Sequence, residues 1–353
     1  MRLPRPIRRF YYAHETLAKV SGVVIFLVVV ASLYVAVLRP APGASLVVSA
    51  TPTPTPTPSP TSTATPTPPP QTPTAVPTAA PPIPLGRYRV QAKSNVPYSS
   101  PVNLEERLDL CLPVGAAGPR PGVVLIHGDG FDNGDKGEYD PLCLAYASYG
   151  FVVATIDYRL APQTTWPAPL VDAQLAVRWL RANASQYHLD PQRLCAQGDS
   201  AGASLALFLG ALTSNHVGDK TSLFSNQSPH ISCVVDLFAP VDLSLLTGND
   251  VWKEIFPKLF GPSSQNSPIL LRDASPIFAI NAQSVPTLII QGSIDTVVPP
   301  SQSKTLQTKL QSFNVPVSYI SYPGGHGLDG LSNKQIQALT LQALSFLTAH
   351  ELP

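Results

Sequence analysis

The stretch Gly198-Asp199-Ser200-Ala201-Gly202 decides how this chain is read. It follows the apolar run Arg193-Leu194-Cys195-Ala196-Gln197 and opens the small, apolar stretch Ala203-Ser204-Leu205-Ala206-Leu207-Phe208-Leu209-Gly210. A short strand, a sharp turn and then a helix is the setting in which G-x-S-x-G forms a nucleophile elbow. A serine at the tip of such a turn needs small neighbours, because its backbone crowds both flanking elements. Ala201 then presents its N–H at a helix N-terminus, where negative charge is favoured. The plainer reading is a strand-to-helix turn with an incidental serine, and the surrounding chain has to decide.

A serine nucleophile needs a base, a carboxylate to orient the base, and donors for the oxyanion. His326 is the candidate base, in Tyr322-Pro323-Gly324-Gly325-His326-Gly327 just after the last strand-like run. Of the other histidines, His188, His216 and His230 lie in polar stretches, while His14 and His350 are near the termini. Asp295 is the candidate acid, directly beyond the apolar run Leu288-Ile289-Ile290, with Asp236 and Asp242 as alternatives. The order Ser200, Asp295, His326 is the Ser…Asp…His order of α/β-hydrolases. The glycine-rich turn His127-Gly128-Asp129-Gly130 succeeds another apolar run and lets backbone N–H groups approach a developing oxyanion.

The rest of the C-terminal part, residues 87–353, agrees with that fold. Leu108, Leu110 and Leu112 alternate with Asp109 and Cys111, a half-buried strand. Residues 122–126 and 151–156 are continuous apolar runs, as expected for parallel strands covered on both faces. Further strands are expected at 231–238, 287–290 and 315–320, and helices at 171–182, 301–313 and 333–350. Val171, Leu175, Trp179 and Leu180 are expected to form the buried side of the first of these helices. Strands alternating with helices predict an α/β fold with a mostly parallel central sheet and helices on both faces.

Three spaced motifs then carry a family resemblance. Asp157-Tyr158-Arg159-Leu160-Ala161-Pro162 is followed by Trp166-Pro167-Ala168, Asp172-Ala173 and Trp179-Leu180, and then by the elbow. Over residues 127–327 the chain resembles the hormone-sensitive-lipase-like and BD-FAE-like esterases of the α/β-hydrolase superfamily. The resemblance implies Ser200 as nucleophile, His326 as base and Asp295 as its partner, with backbone donors from Gly128, Asp129 and Ala201. It implies that Asp157, Tyr158 and Arg159 brace the loop beneath the site. The family usually has glycine where Asp129 stands. A carboxylate aimed into the oxyanion hole would oppose the charge to be stabilised, so it must turn away, be paired, or contact substrate hydroxyls.

The N-terminal part belongs to another regime. Residues 1–19 form a basic tail, with Arg2, Arg5, Arg8, Arg9 and Lys19 against Glu15. Residues 20–38 are uncharged and mostly aliphatic, nearly enough at ~1.5 Å per residue to span a ~30 Å hydrocarbon core. The charge bias predicts a single-pass signal-anchor with its N-terminus in the cytoplasm and the remainder outside. A cleaved signal peptide is the competing reading, and it too exports the C-terminal part of the chain. Residues 39–86 read as a disordered Thr/Pro-rich linker: 51–58 is a Thr-Pro repeat, and such a composition buries no core. Extended as polyproline II at roughly 3.1 Å per residue, residues 51–84 reach on the order of 100 Å.

A net charge of +1 gives no reason to expect a nucleic-acid partner. No cofactor signature or metal-ligand spacing appears, so none is expected. Cys111, Cys143, Cys195 and Cys233 permit two disulfides in three connectivities, and Cys195 and Cys233 also read as plain buried thiols. Only about 48 residues separate Phe238 from Pro286, little material for a large lid. Phe131, Tyr158, Trp166 and Trp252 are candidates to line the cleft or to be ordinary core. The expected activity is a membrane-anchored, extracytoplasmic serine carboxylesterase acting on small-molecule or glycan esters of short acids. A serine peptidase of the same superfamily and a non-catalytic surface adhesion module are the alternatives.

Overall fold

The apolar run at 122–126 becomes the middle of a sheet whose two faces are both covered. In the computed structural model, which describes residues 88–99, 105–211 and 223–351, this run is strand β3 (Arg120–Ile126). Side chains alternate across a strand, and here the alternation sorts them between two cores. Val124 and Ile126 join one cluster, while Val123 and Leu125 join the other. Strand β4 (Val152–Ile156) and strand β5 (Leu189–Asp199) divide in the same way, with Leu194 and Ala196 on one face and Cys195 on the opposite one.

Eight strands lie in the order β1-β2-β4-β3-β5-β6-β7-β8. The remaining ones are β1 (Arg89–Pro97), β2 (Arg107–Val114), β6 (Val234–Leu237), β7 (Thr287–Gly292) and β8 (Val317–Tyr322). From β4 across to β8 all neighbours are parallel, whereas β1 and β2 pair antiparallel at the edge. The parallel strands therefore end together: Ile126 is in register with both Ile156 and Gly198. Loops leaving that edge are where a parallel α/β sheet collects its chemistry. Chain enters at the other edge. Arg89 pairs with Val114, and the Tyr88 N–H donates to the Ser148 carbonyl at 2.9 Å.

Helices α1 (Asp140–Ser148) and α7 (Asn333–Glu351) cover one face. Helices α2 (Ala168–Ala182), α3 (Ser200–Ala211), α4 (Asp250–Phe260) and α6 (Pro300–Ser312) cover the other, with the short α5 (Pro268–Asp273) between the last two. Every residue of α3 is buried, so its continuous small and apolar sequence needs no polar stripe. Helix α2 is more enclosed than the expected single face. Asp172, Ala173, Gln174 and Val177 are buried beside Leu175, Trp179 and Leu180, while Val171 is only half-buried. Asp172 is tolerated there because Arg159 grips it in a fork, Nη2 donating to Oδ1 at 2.6 Å and Nε to Oδ2 at 2.9 Å.

Both disulfides form, Cys111–Cys143 joining β2 to α1 and Cys195–Cys233 joining β5 to the residue before β6. The reading of Cys195 and Cys233 as buried thiols is thereby corrected. Among the described residues no helix is long and apolar enough to cross a membrane. The expected basic tail, membrane span at 20–38 and linker at 39–86 lie outside the described residues, as do His14 and His216.

Candidate active site

Strand β5 ends at Asp199 and helix α3 begins at Ser200, with nothing between them. The turn is made by Ser200 itself, whose φ of 48° lies in the left-handed region that costs a side chain about 1 kcal/mol or more. Its flanking glycines show why. A Cβ on Gly202 would run into the carbonyl oxygens of Ile126 and His127, and one on Gly198 into the Gly202 backbone. Helix α3 thus lies directly against the end of β3, and the serine hydroxyl is lifted above the sheet edge while staying 6% exposed.

His326 arrives on the loop after β8. Its Nε2 lies 3.0 Å from Ser200 Oγ and its Nδ1 lies 2.7 Å from Asp295 Oδ2. The ring stands edge-on to Phe238, with centroids 4.7 Å apart. The loop passes close over the end of β7, where a Cβ on Gly292 would be 2.5 Å from the Gly324 and Gly325 carbonyl oxygens. Asp295 is fixed independently of the histidine. Its Oδ1 accepts the N–H groups of Val297 and Val298, each at 2.9 Å, and its Oδ2 accepts Gln291 Nε2 at 3.2 Å. Ser303 in turn donates to Gln291 Oε1 at 2.7 Å.

Beyond β3 the backbone turns through three successive positive φ values, 56° at Asp129, 65° at Gly130 and 65° at Phe131. Tyr158 holds this loop, its hydroxyl lying 3.0 Å from the His127 carbonyl oxygen and 2.9 Å from that of Gly128 as a shared donor. The Tyr158 ring also stacks on His127 at 4.3 Å. A side chain on Gly128 would collide with the Asp199 carboxylate, so the loop and the elbow are packed in backbone contact. Among the described residues the N–H groups of Gly128 and Asp129 are given to no other protein group. The Ala201 N–H sits in the first turn of α3, where donors have no acceptor within the helix.

Several carboxyls crowd this side of the cleft. Asp199 is pushed up to about 6, chiefly by burial, while the Tyr139 hydroxyl donating to its Oδ1 at 2.6 Å pulls the other way. Glu138 is pushed up to about 8 by burial and then by the Asp129 and Asp199 carboxylates. Asp129 reaches solvent, yet its carboxyl is also raised, first by desolvation, then by Asp132, with His326 opposing. At about 8 the Glu138 carboxyl is mostly neutral near pH 7, so it adds little negative charge beside an oxyanion. Asp132 is paired with Lys258 of α4.

Ser200, Asp295 and His326 are therefore brought together, Ala201 follows the serine in α3, and the turn holding Gly128 and Asp129 packs through Gly128 against Asp199, the residue before the serine. The alternatives for the acid are not: Asp236 is buried in β6 and accepts the Ala239 N–H at 2.8 Å, while Asp242 caps a short turn by accepting the Ser244 N–H at 3.1 Å. Phe131, Tyr158, Trp166 and Trp252 are all buried, with Trp166 the least at 7% exposure, so they are core more than lining. Tyr139, Gln291 and Phe238 support the site without having been singled out in the sequence. Tyr139 sits 60 residues from Asp199, and no local pattern marks such a contact. Between β6 and β7 the chain adds α4, whose Ile255 packs on Gly130, a wall instead of a large lid. Among the described residues the one grouping with metal-like spacing is Cys195, Cys233 and Glu351, and its two sulfurs are bonded to each other.

Comparison with known proteins agrees with this architecture. The BD-FAE family profile matches residues 108–310. Esterase LipQ of Mycobacterium tuberculosis is 29% identical over 270 residues, covering 75% of this chain and 63% of LipQ. Esterase LipC of the same organism is 28% identical over 217 residues, covering 60% of this chain and 54% of LipC. The chain thus spans less than two thirds of the length of these curated relatives. A truncated carbohydrate esterase from gut microbiota superposes with a TM-score of 0.62 at 25% identity, over 76% of this chain and 98% of that one. With its elbow, its parallel sheet and a family match over more than half its length, the chain belongs to the BD-FAE family of α/β-hydrolase esterases.

Proposed function

We propose that the protein is a serine carboxylesterase that cleaves short-acyl esters through an acyl-enzyme. The observation that carries this reading is His326, with one ring nitrogen 3.0 Å from Ser200 Oγ and the other 2.7 Å from Asp295 Oδ2. Ser200 Oγ attacks the ester carbonyl carbon as His326 Nε2 takes its proton. Asp295 keeps the Nδ1–H tautomer and stabilises the imidazolium. Backbone N–H groups of Ala201, Gly128 and Asp129 meet the oxyanion, a contribution of about 3 kcal/mol per donor in comparable sites. Collapse breaks the ester C–O bond, and His326 returns the proton to the departing alcohol. Water then repeats the cycle on the acyl-serine, freeing the acid and restoring Ser200.

Small-molecule esters and acylated glycans are the proposed substrates, supported by a β6–β7 connection whose one longer helix, α4, packs as a wall beside Gly130, and by the likeness to a carbohydrate esterase. We also propose that the catalytic domain is held outside the plasma membrane by residues 20–38, with residues 39–86 as a stalk. Two disulfides support an oxidising compartment, because cytosolic thiols are normally kept reduced.

Labelling of intact cells with a membrane-impermeant fluorophosphonate tests reactivity and sidedness together. A Ser200-dependent label is expected. A label only after lysis sinks the external location, and no label at all sinks the hydrolase. A p-nitrophenyl acyl series is expected to favour acetate to butyrate, and a preference for long chains would make the protein a lipase. Turnover of aminoacyl amides above that of matched esters would favour the peptidase.

A further inference from the structure

We infer that the protein carries a second binding site, for an acidic saccharide, at the end of the sheet opposite Ser200. A cavity of about 370 Å³ opens where β3 and β4 begin, bounded by β1, the end of β2 and the turn before β5. That is the size of a site for one small ligand. Two cations line it, Lys93 from β1 and Arg120 from β3, both half-buried, and no carboxylate lines it. Neither cation has an ion-pair partner among the described residues.

Both charges are nevertheless held in place. The Lys93 ammonium stands 5.2 Å from the centre of the Tyr187 ring, and the Arg120 guanidinium 5.2 Å from that of Tyr88. Arg120 Nε donates to the Gly150 carbonyl at 2.8 Å, leaving its Nη donors without a protein partner among the described residues. Two positive charges on residues of a concave wall that holds no carboxylate focus a positive potential and favour an anion. A guanidinium edge matches the paired oxygens of a carboxylate, sulfate or phosphate. Gln91, Gln186 and His188 supply donors and acceptors for hydroxyl groups around it. Oxyanion plus hydroxylated body defines an acidic sugar. Strand β3 is seven residues long, so at ~3.3 Å per residue the cavity lies roughly 20 Å from the elbow. The ligand there is held and not cleaved, and the site stands whether or not the esterase reading does.

Isothermal titration of the full-length protein in nonionic detergent with glucuronate, glucose 6-sulfate, glucose 6-phosphate and glucose tests it. Binding of at least one acidic sugar with a Kd on the order of 1 mM is expected, and the tightest of the three names the acid group. Lys93→Gln is expected to weaken it about tenfold, and Lys93→Gln with Arg120→Gln to abolish it, with p-nitrophenyl acetate turnover unchanged in both. The Lys93 ammonium makes no hydrogen bond among the described residues, so its variant separates lost binding from lost folding. The proposal is overturned if glucose binds as tightly as the acidic sugars, if none of them binds, or if Lys93→Gln binds as the unaltered protein does.

Discussion

His326 Nδ1 lies 2.7 Å from Asp295 Oδ2, and the other oxygen of that carboxylate is already committed to two backbone N–H groups. The acid therefore keeps its position whatever the ring does. Asp295→Asn should leave Oδ1 bonded to Val297 and Val298 while presenting an N–H to Nδ1. That favours the tautomer with hydrogen on Nε2, which cannot accept the Ser200 proton. A fall in kcat of roughly 10³ to 10⁴ is expected, with only a small drop in the thermal midpoint because Gln291 Nε2 loses one of its acceptors. Kinetics on p-nitrophenyl acetate beside a melting curve check it, and a variant within tenfold of the parent would count against the assigned roles.

Gly202 has no room for a side chain because the carbonyls of Ile126 and His127 occupy the space, and backbone cannot step aside. Gly202→Ala should cost about 3 kcal/mol, the upper part of the range for overpacking. Gly210→Ala is the comparison, since its Cβ would meet only the Val234 and Val285 methyl groups, at 2.7 and 2.8 Å. Urea unfolding of the pair should show the first variant as the less stable.

Tyr158→Phe removes the hydroxyl shared by the His127 and Gly128 carbonyls but keeps the ring stacked on His127. Loosening the loop proposed to hold the oxyanion donors should lower kcat about tenfold with little change in KM, the mark of an interaction made in the transition state. An equal fall for long and short acyl chains separates this from a change of pocket shape.

Glu138 makes stability depend on pH. Its folded value is about 8 against an ordinary 4.5, so the unfolded chain releases the proton first as pH rises. Stability contributed by the neutral folded form is therefore lost progressively between about pH 4.5 and about pH 8. Glu138→Gln keeps an acceptor for the Asp135 N–H and should flatten that slope, with a higher urea midpoint than the parent at the alkaline end. Midpoints measured across this range check the sign.

Much of this fold was legible because its strands are apolar on both faces and its motifs are local. Residues 122–126 and 151–156 announce buried parallel strands without any partner being known. Strand β1 escaped notice, since Arg-Val-Gln-Ala-Lys-Ser-Asn-Val-Pro lies at an exposed edge and buries little. Helix α1 escaped for the opposite reason: Asp-Pro-Leu-Cys-Leu-Ala-Tyr-Ala-Ser comes after a loop with no amphipathic period to mark it. Ser200, Asp295 and His326 could be named because each lies just past a recognisable strand in a known order. Cysteine pairing could not, because Cys111 meets Cys143 only through the placement of β2 beside α1. The Tyr139–Asp199 contact is hidden in the same way, as a meeting of surfaces and not of sequence.

The antiparallel pairing of β1 with β2 has a mechanical meaning. Tension applied at Tyr88 is directed along β1, whose partners run from Arg89 opposite Val114 to Pro97 opposite Arg107. If the opposing pull comes from a polymer gripped above Ser200, at the far pole, the load falls on that whole ladder as shear, so its hydrogen bonds resist together. If residues 20–38 also anchor the chain as proposed, the strand least obvious in the sequence is the one that bears the load.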